Sequence, residues 1–196
     1  MEKEKKNKVL LLVDCQYDFI NGSLAVPEAE GKMDALARYV EERGGEYSTI
    51  IATADWHPDT HCSFAKNGGE WPQHCIMHSH GAAIYQPLLE SIIKHQSPIV
   101  LKKGTEEGRE EYSIFKNIES AEALSAWVGS RDTEQIDVCG IAGDICVLNT
   151  VKDGLRAFPS IKCNVIENFT PSLDSGKALI EMLKSSERYI LTNLSS

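Results

Sequence analysis

Short apolar runs alternate along the chain with longer stretches in which apolar residues recur at every third or fourth position. Runs rich in Val and Ile are typical of strands buried on both faces of a sheet, and the wider spacing is typical of amphipathic helices. The predicted strands cover residues 9–13, 47–53, 99–102, 135–139, 162–166 and 188–191. The predicted helices cover residues 33–40, 88–95, 120–128, 145–158 and 177–186.

This alternation predicts an α/β fold: three αβα layers around a six-stranded, mostly parallel, Rossmann-like sheet. A chain of 196 residues suits a single domain. In such folds ligands bind beyond the carboxyl ends of the strands, so polar residues at those ends are the candidates for chemistry. The connection over residues 56–86 is longer than a compact domain normally carries, and we expect it to be an insertion that builds the site.

Composition narrows the function classes. A net charge of -9 without a basic stripe argues against a nucleic-acid partner. No apolar segment approaches the roughly 20 residues of a membrane span, and the charged start lacks a signal-peptide pattern. We therefore expect a soluble, cytoplasmic protein that does not bind membranes. Six cysteines without a Cys-x-x-Cys pair indicate reduced thiols rather than a disulfide framework.

Four predicted strands end in residues that suit covalent catalysis. Asp14, Asp55 and Lys103 each follow one strand, and Cys146 opens the helix after another. A helix start and a nearby ammonium both lower a thiol pKa, so we expect a reactive thiolate at Cys146. Asp14 can take the thiol proton and return it to a leaving amine. Taken singly, Cys146 also fits a packing residue, Asp14 a cap and Lys103 a solvated charge.

A second group of residues predicts a metal site. Asp55 and His57 are two residues apart at a strand end, which lets both side chains reach one ion. His61 and His74 follow in the connection and could complete two imidazoles and a carboxylate with open positions, as in catalytic metal centres. The alternative for Asp55-Trp56-His57-Pro58 alone is a polar loop with a helix cap. Zinc is the expected ion, and such a set also accepts iron or manganese.

Together these motifs resemble the nicotinamidase/pyrazinamidase branch of the isochorismatase-like cysteine hydrolases. The resemblance covers essentially the whole chain, as one hydrolase domain over residues 1–196. It rests on five motifs: Asp14-Cys15-Gln16-Tyr17-Asp18-Phe19 with Gly22-Ser23-Leu24-Ala25-Val26, Asp55-Trp56-His57-Pro58, Trp71-Pro72-Gln73-His74-Cys75, Lys103-Gly104, and Gly140-Ile141-Ala142-Gly143-Asp144-Ile145-Cys146-Val147. It implies Asp14, Lys103 and Cys146 as catalytic residues, with Asp55, His57 and His74 as metal ligands.

The resemblance also implies secondary roles. Phe19, Trp71 and Tyr112 would line a pyridine pocket, although core packing is the alternative for each. A cis peptide would join Ile141 to Ala142, and the N–H groups of Ala142 and Cys146 would form an oxyanion hole. His61 matches a histidine that only some members use as a ligand, and its role stays open.

Two stretches depart from the family pattern. Gly143 stands where Thr is usual, and the connection differs over residues 76–81. Its two histidines, His78 and His80, are expected to be loop residues rather than metal ligands.

The activity implied is hydrolysis of nicotinamide to nicotinate and ammonia through a cysteine thioester, in NAD salvage, with pyrazinamide as a further substrate. The alternatives are an amidase for N-carbamoyl compounds, whose relatives lack the full metal pair, and a non-catalytic binding module. A nucleotide-binding domain is disfavoured because no Gly-x-Gly-x-x-Gly follows the first strand. Whether the chain forms a homo-oligomer is left open.

Overall fold

The structure is a computed structural model and describes residues 7–184 and 189–192. Six parallel strands form one sheet in the order β3-β2-β1-β4-β5-β6. The strands are β1 Lys8–Val13, β2 Thr49–Asp55, β3 Ile99–Lys103, β4 Gln135–Gly140, β5 Lys162–Ile166 and β6 Tyr189–Thr192. The helices are α1 Tyr17–Ile20, α2 Ala29–Arg43, α3 Gln86–Ile93, α4 Ile118–Gly129, α5 Leu148–Ala157 and α6 Lys177–Lys184. The predicted three-layer fold is confirmed.

The central strand explains why the chain folds in layers. In β1 the side chains alternate: Leu10 and Leu12 join a core with α2 and α3, whereas Val9, Leu11 and Val13 join a second core with α4, α5 and α6. Both faces of β1 are therefore apolar, as its continuous run predicts.

The order of the strands leaves a crevice at the carboxyl edge of the sheet. The chain moves outward from β1 to β2 and β3, and then returns to place β4 on the other side of β1. Reversals of this kind leave the binding crevice of open α/β sheets at the carboxyl ends of the two central strands. Gly140 ends β4 with a φ of 127°, and a Cβ there would lie 2.0 Å from the carbonyl oxygen of Val13. Only glycine permits this close approach of β4 to β1.

Several boundaries differ from the predicted ones. β2 lies two residues later than the interval 47–53, so Asp55 is its last residue. The predicted helix starting at Ile145 is wrong in its first turn, because residues Gly143–Val147 form a π-helical turn and α5 begins at Leu148. Apolar spacing cannot separate a single π turn from an α turn, and such turns often occur at functional sites. The predicted end of the last helix at residue 186 and the predicted start of the last strand at residue 188 lie outside the described residues.

Two further expectations concern thiols and membranes. All six cysteines are free, as predicted. Within residues 7–184 and 189–192, no helix combines the length and apolar character needed to cross a bilayer.

Candidate active site and metal centre

The site lies where β1, β2, β3 and β4 end. Lys103 is its centre: the Nζ atom is 2.9 Å from Oδ2 of Asp14 and 3.6 Å from Sγ of Cys146, and it also contacts Oδ1 of Asp55. These four side chains are almost fully buried. One carboxylate oxygen of Asp14, one of Asp55 and the thiol of Cys146 all lie within 4.8 Å of one another. The structure therefore brings the predicted acid, amine and thiol together.

Burial sets the protonation of this group. Desolvation raises the pKa of Asp14, with the ammonium of Lys103 opposing it, and this makes Asp14 a better proton acceptor. The pKa of Lys103 lies well above its usual range: burial opposes the charge, but Asp14 and Asp55 outweigh it. The pKa of Asp55 is lowered despite burial, because Lys103 lies against it.

The expectation of a thiolate at Cys146 is corrected by the structure. Burial raises the pKa of the Cys146 thiol well above its usual range, although Lys103 lowers it as predicted. Cys146 is the fourth residue of the π turn and is only 6% exposed, so desolvation dominates. A raised pKa favours the protonated thiol.

Asp14 is held by a residue that the sequence analysis did not single out. Thr53 Oγ1 donates a hydrogen bond of 2.6 Å to Oδ1 of Asp14, and the Asp14 amide is 3.2 Å from the Thr53 carbonyl oxygen. Thr53 and Asp55 point to the same side of β2 because strand residues alternate. Strand alternation could have identified Thr53.

The predicted metal ligands also converge. Asp55, His57 and His74 each offer one atom, and these atoms lie within 4.8 Å of one another. His57 Nδ1 donates to the Gly104 carbonyl and His74 Nδ1 donates to the Pro72 carbonyl, both at 2.8 Å. Each ring therefore keeps Nε2 for the centre of the cluster, the arrangement that orients metal-binding histidines.

The electrostatics of the cluster favour a cation. Nε2 of His57 is buried without a hydrogen-bond partner, 3.6 Å from Oδ2 of Asp55. Burial opposes a charge on His57, yet its pKa is raised because Asp55 lies beside it. His74 has a lowered pKa through burial, which keeps its imidazole neutral. Two imidazoles and a carboxylate thus fit a divalent metal.

The remaining histidines of the connection lie outside this cluster. His61 Nε2 donates to the Arg109 carbonyl at 3.1 Å, and Ser63 Oγ lies 2.7 Å from His61 Nδ1, so both ring nitrogens have partners. His78 and His80 pack against Trp56 and Tyr17 respectively.

A pocket of about 420 Å³, its open mouth included, leads to Cys146 and the metal cluster. Phe19, Trp71 and Tyr112 all lie on its wall, as predicted, and Trp71 Nε1 donates to Tyr112 Oη at 3.0 Å. The sequence analysis missed several other residues of the wall: Leu24, Val26, Glu110, Ile145 and Leu173. Leu24 and Val26 stand within a quoted motif, which offered a signal. Leu173 comes from a distant segment and offered none.

The turn Gly143–Val147, which carries Cys146, has a local explanation for its first glycine. The Ile141–Ala142 peptide is cis, as predicted, and Gly143 follows it. A Cβ at position 143 would lie 2.1 Å from Oγ of Ser172, so the hydroxyl occupies the space of a side chain. Asp144 accepts hydrogen bonds from the amides of Leu173 and Asp174, which holds this segment against the turn.

Known proteins resemble this chain in sequence and in fold. Residues 8–175 match the family model for the isochorismatase domain. A nicotinamidase of Escherichia coli (strain K12) is 34% identical over 89% of this chain and 90% of its own length. The solved pyrazinamidase of Pyrococcus horikoshii in complex with zinc has a TM-score of 0.82 and 27% identity, covering 96% of this chain and 99% of that one. A structure from L. infantum in complex with nicotinate has a TM-score of 0.83 and 28% identity, covering 98% and 95%.

Proposed function

The chain belongs to the isochorismatase family, in its nicotinamidase/pyrazinamidase branch of amidohydrolases, and we propose that it hydrolyses nicotinamide to nicotinate and ammonia. One observation carries the proposal: Asp55 belongs both to the metal cluster and to the buried group of Asp14, Lys103 and Cys146. The two clusters therefore face one pocket, and a ring held at the first would present its carboxamide to the second.

Asp55, His57 and His74 would hold one divalent ion, with zinc favoured because a related pyrazinamidase was solved with zinc. When bound, the ion would supply a Lewis acid for the pyridine nitrogen. The buried, unpartnered Nε2 of His57 supports this use of the cluster. His61 would support the neighbouring loop instead, since both of its ring nitrogens already have partners.

The pocket suits a flat heteroaromatic amide. Phe19, Trp71 and Tyr112 supply aromatic surface along the wall, and such surface stabilises a planar ring by stacking or edge contacts. The L. infantum relative was solved in complex with nicotinate, which supports a pyridine compound as the ligand of this chain. Pyrazinamide has a ring of the same size with a nitrogen in the equivalent position, so we expect it to be hydrolysed as well.

The reaction begins with the raised proton affinity of Asp14. As the thiol of Cys146 attacks the carboxamide carbon, its proton passes to Asp14 and a sulfur–carbon bond forms. The charge on the carbonyl oxygen would be stabilised by the N–H groups of Ala142 and Cys146. Asp14 then gives its proton to the amide nitrogen, the carbon–nitrogen bond breaks, and ammonia leaves.

The second half of the reaction releases the acid. Water attacks the thioester carbonyl and gives one proton to Asp14. The sulfur–carbon bond then breaks, Asp14 returns its proton to the sulfur and restores the thiol of Cys146, and the acid leaves as nicotinate after losing its own proton to solvent. Lys103 acts throughout as a fixed positive charge beside Asp14 and the sulfur. Its raised pKa keeps that charge in place.

The test is ammonia release from nicotinamide by protein loaded with zinc, by protein stripped with a chelator, and by the stripped protein after zinc is added back. We expect turnover in the first and third samples and a loss in the second. Hydrolysis of benzamide, which lacks the ring nitrogen, should be much slower. Failure of the zinc-loaded protein to release ammonia from nicotinamide would overturn the proposal.

A further inference from the structure

Glu111 is a fully buried carboxylate that takes no part in the mechanism above. It follows the pocket residue Glu110 but does not line the pocket. Its Oε2 accepts hydrogen bonds from the Gly104 amide at 2.7 Å and from Asn117 Nδ2 at 3.2 Å, and its Oε1 contacts the Arg109 guanidinium. A charge this deep is costly unless it is paired, and here every partner is supplied by the same loop.

The Gly104 amide belongs to the peptide unit that joins Gly104 to Lys103. The other end of that unit, the Lys103 carbonyl, accepts a hydrogen bond of 2.9 Å from the Trp56 amide. Glu111 and the Trp56 main chain therefore hold this peptide from both sides. Since a peptide is planar, fixing its N–H and its C=O fixes its orientation.

This one peptide lies between the two halves of the site. Before it, the Lys103 side chain reaches Asp14 and Cys146. After it, the Gly104 carbonyl accepts the hydrogen bond from His57 Nδ1 that leaves Nε2 free for a metal. A displacement of this peptide would shift Lys103 and Gly104 together, and with them the ammonium and the carbonyl that holds His57.

We propose that Glu111 is a positioning residue that sets both the metal affinity and the rate of the chemical step, through the peptide between Lys103 and Gly104. The inference rests on the proposed function: its metal part rests on the proposed ligands Asp55, His57 and His74, and its kinetic part rests on nicotinamide hydrolysis. Metal affinity is measured without substrate, so a failure of nicotinamide hydrolysis would leave the metal part of the test intact.

Two conservative variants separate hydrogen-bond geometry from charge. Glu111→Gln keeps the length and an acceptor oxygen for the Gly104 amide but removes the charge. Glu111→Asp keeps the charge, which the flexible and partly exposed Arg109 can follow, but withdraws the oxygen from Gly104 by one methylene. Glu106→Gln is the matched control, because its exposed carboxylate pairs with the same Arg109, at 3.9 Å, on the same loop.

The experiment measures zinc affinity by competition with a chromogenic chelator, kcat and KM at saturating zinc, and the urea midpoint of the zinc-free protein. We expect Glu111→Asp to bind zinc about 10- to 100-fold more weakly, the range found for residues that orient metal ligands. Its kcat should stay reduced even at saturating zinc, because Lys103 is displaced too. Glu111→Gln should stay within about threefold of the wild type in zinc affinity. Glu106→Gln should equal the wild type in zinc affinity, kcat, KM and urea midpoint.

Wild-type zinc affinity in a folded Glu111→Asp would overturn the inference. The reverse pattern, in which Glu111→Gln loses zinc affinity and Glu111→Asp retains it, would also overturn the inference, because it would assign the loss of affinity to the missing charge. Should Glu111→Asp lower the urea midpoint, the zinc affinity of the folded fraction decides. A merely structural residue would reduce the amount of folded enzyme, but the folded fraction would bind zinc as the wild type does.

Discussion

Gln16 holds the main chain of Asp55 on both sides. Its Oε1 accepts a hydrogen bond from the Asp55 amide, and its Nε2 donates to the Asp55 carbonyl, both at 2.8 Å. Nε2 also donates to the Ala82 carbonyl at 2.9 Å, at the far end of the long connection. The buried side chain of Gln16 thus ties β2 to the connection that carries His57 and His74.

Gln16→Ala would leave buried main-chain groups of Asp55 and Ala82 without partners, at about 1–3 kcal/mol for each. We expect a lower unfolding midpoint and zinc binding weakened by about tenfold or more, because Asp55 loses its support. Calorimetry and chelator competition measure the two effects. Gln86→Ala is the control, since that exposed amide contacts only Glu90 through its side chain. Equal zinc affinity in the two variants would contradict the role given to Gln16.

Cys146→Ala should abolish ammonia release and leave the fold intact, because a small side chain is removed together with the nucleophile. Asp14→Asn and Lys103→Ala should also be inactive. Cys163→Ala, on β5 away from the pocket, should turn over normally. A steady-state assay with circular dichroism on each variant checks this. Cys146→Ala with more than a few per cent of the wild-type rate would show that the thiol only packs.

The histidine variants distinguish ligands from neighbours. His57→Ala and His74→Ala should lose bound zinc and raise KM steeply. His61→Ala should retain the metal at saturating zinc with a reduced affinity, because both of its ring nitrogens already have partners, Ser63 and Arg109. Its ring packs 4.1 Å from that of His57, so its loss should loosen that imidazole. His78→Ala and His80→Ala should behave as the wild type. Elemental analysis of the purified variants measures metal content, and a His80→Ala protein without zinc would refute this assignment.

Gly104 and Gly108 form a matched pair on one loop. Gly104 has a φ of 64°, and a Cβ there would lie 2.3 Å from Cε1 of His57, whereas a Cβ at Gly108 would meet nothing within 4 Å. Gly104→Ala combines left-handed strain of about 1–2 kcal/mol with a clash against the imidazole, and we expect loss of zinc and of activity. Gly108→Ala should change neither. Zinc titration followed by the ammonia assay compares the two, and equal behaviour would contradict the geometry at His57.

The opposite end of the sheet offers a test of stability without chemistry. Asp137 on β4 is buried and accepts hydrogen bonds from Tyr47 Oη at 2.8 Å and Asn164 Nδ2 at 2.9 Å. Asp137→Ala removes the acceptor of the Asn164 and Gln135 amides, whereas Tyr47 Oη keeps a hydroxyl partner, Tyr39 Oη, at 2.7 Å. We therefore expect a loss of about 2 kcal/mol or more in the free energy of unfolding. Glu41→Ala, which removes an exposed ion pair with Lys94, should cost less than about 1 kcal/mol. Urea denaturation measures both, and kcat should be unchanged in each.

The layered fold and the placement of most candidate site residues could be predicted from the amino-acid sequence, because the relevant signals are local. An apolar run such as that of β1 must be buried on both faces, and parallel strands must deliver Asp14, Asp55 and Lys103 to one edge. The motif around Asp55 and His57 needs only strand geometry to bring two ligands together. None of these arguments requires knowledge of which distant segments touch.

The remaining features depend on contacts between segments far apart in the chain. The pKa of Cys146 follows from desolvation, a property of everything packed around the thiol, and this outweighs the local helix start that led to the expectation of a thiolate. Glu111 and Gln16 are polar residues without a local signal for their role. Their hydrogen-bond partners are brought to them only when the loops fold over β2 and β3. Burial and hydrogen-bond pairing are sums over neighbours in space, so they are set by the folded arrangement and not by local pattern.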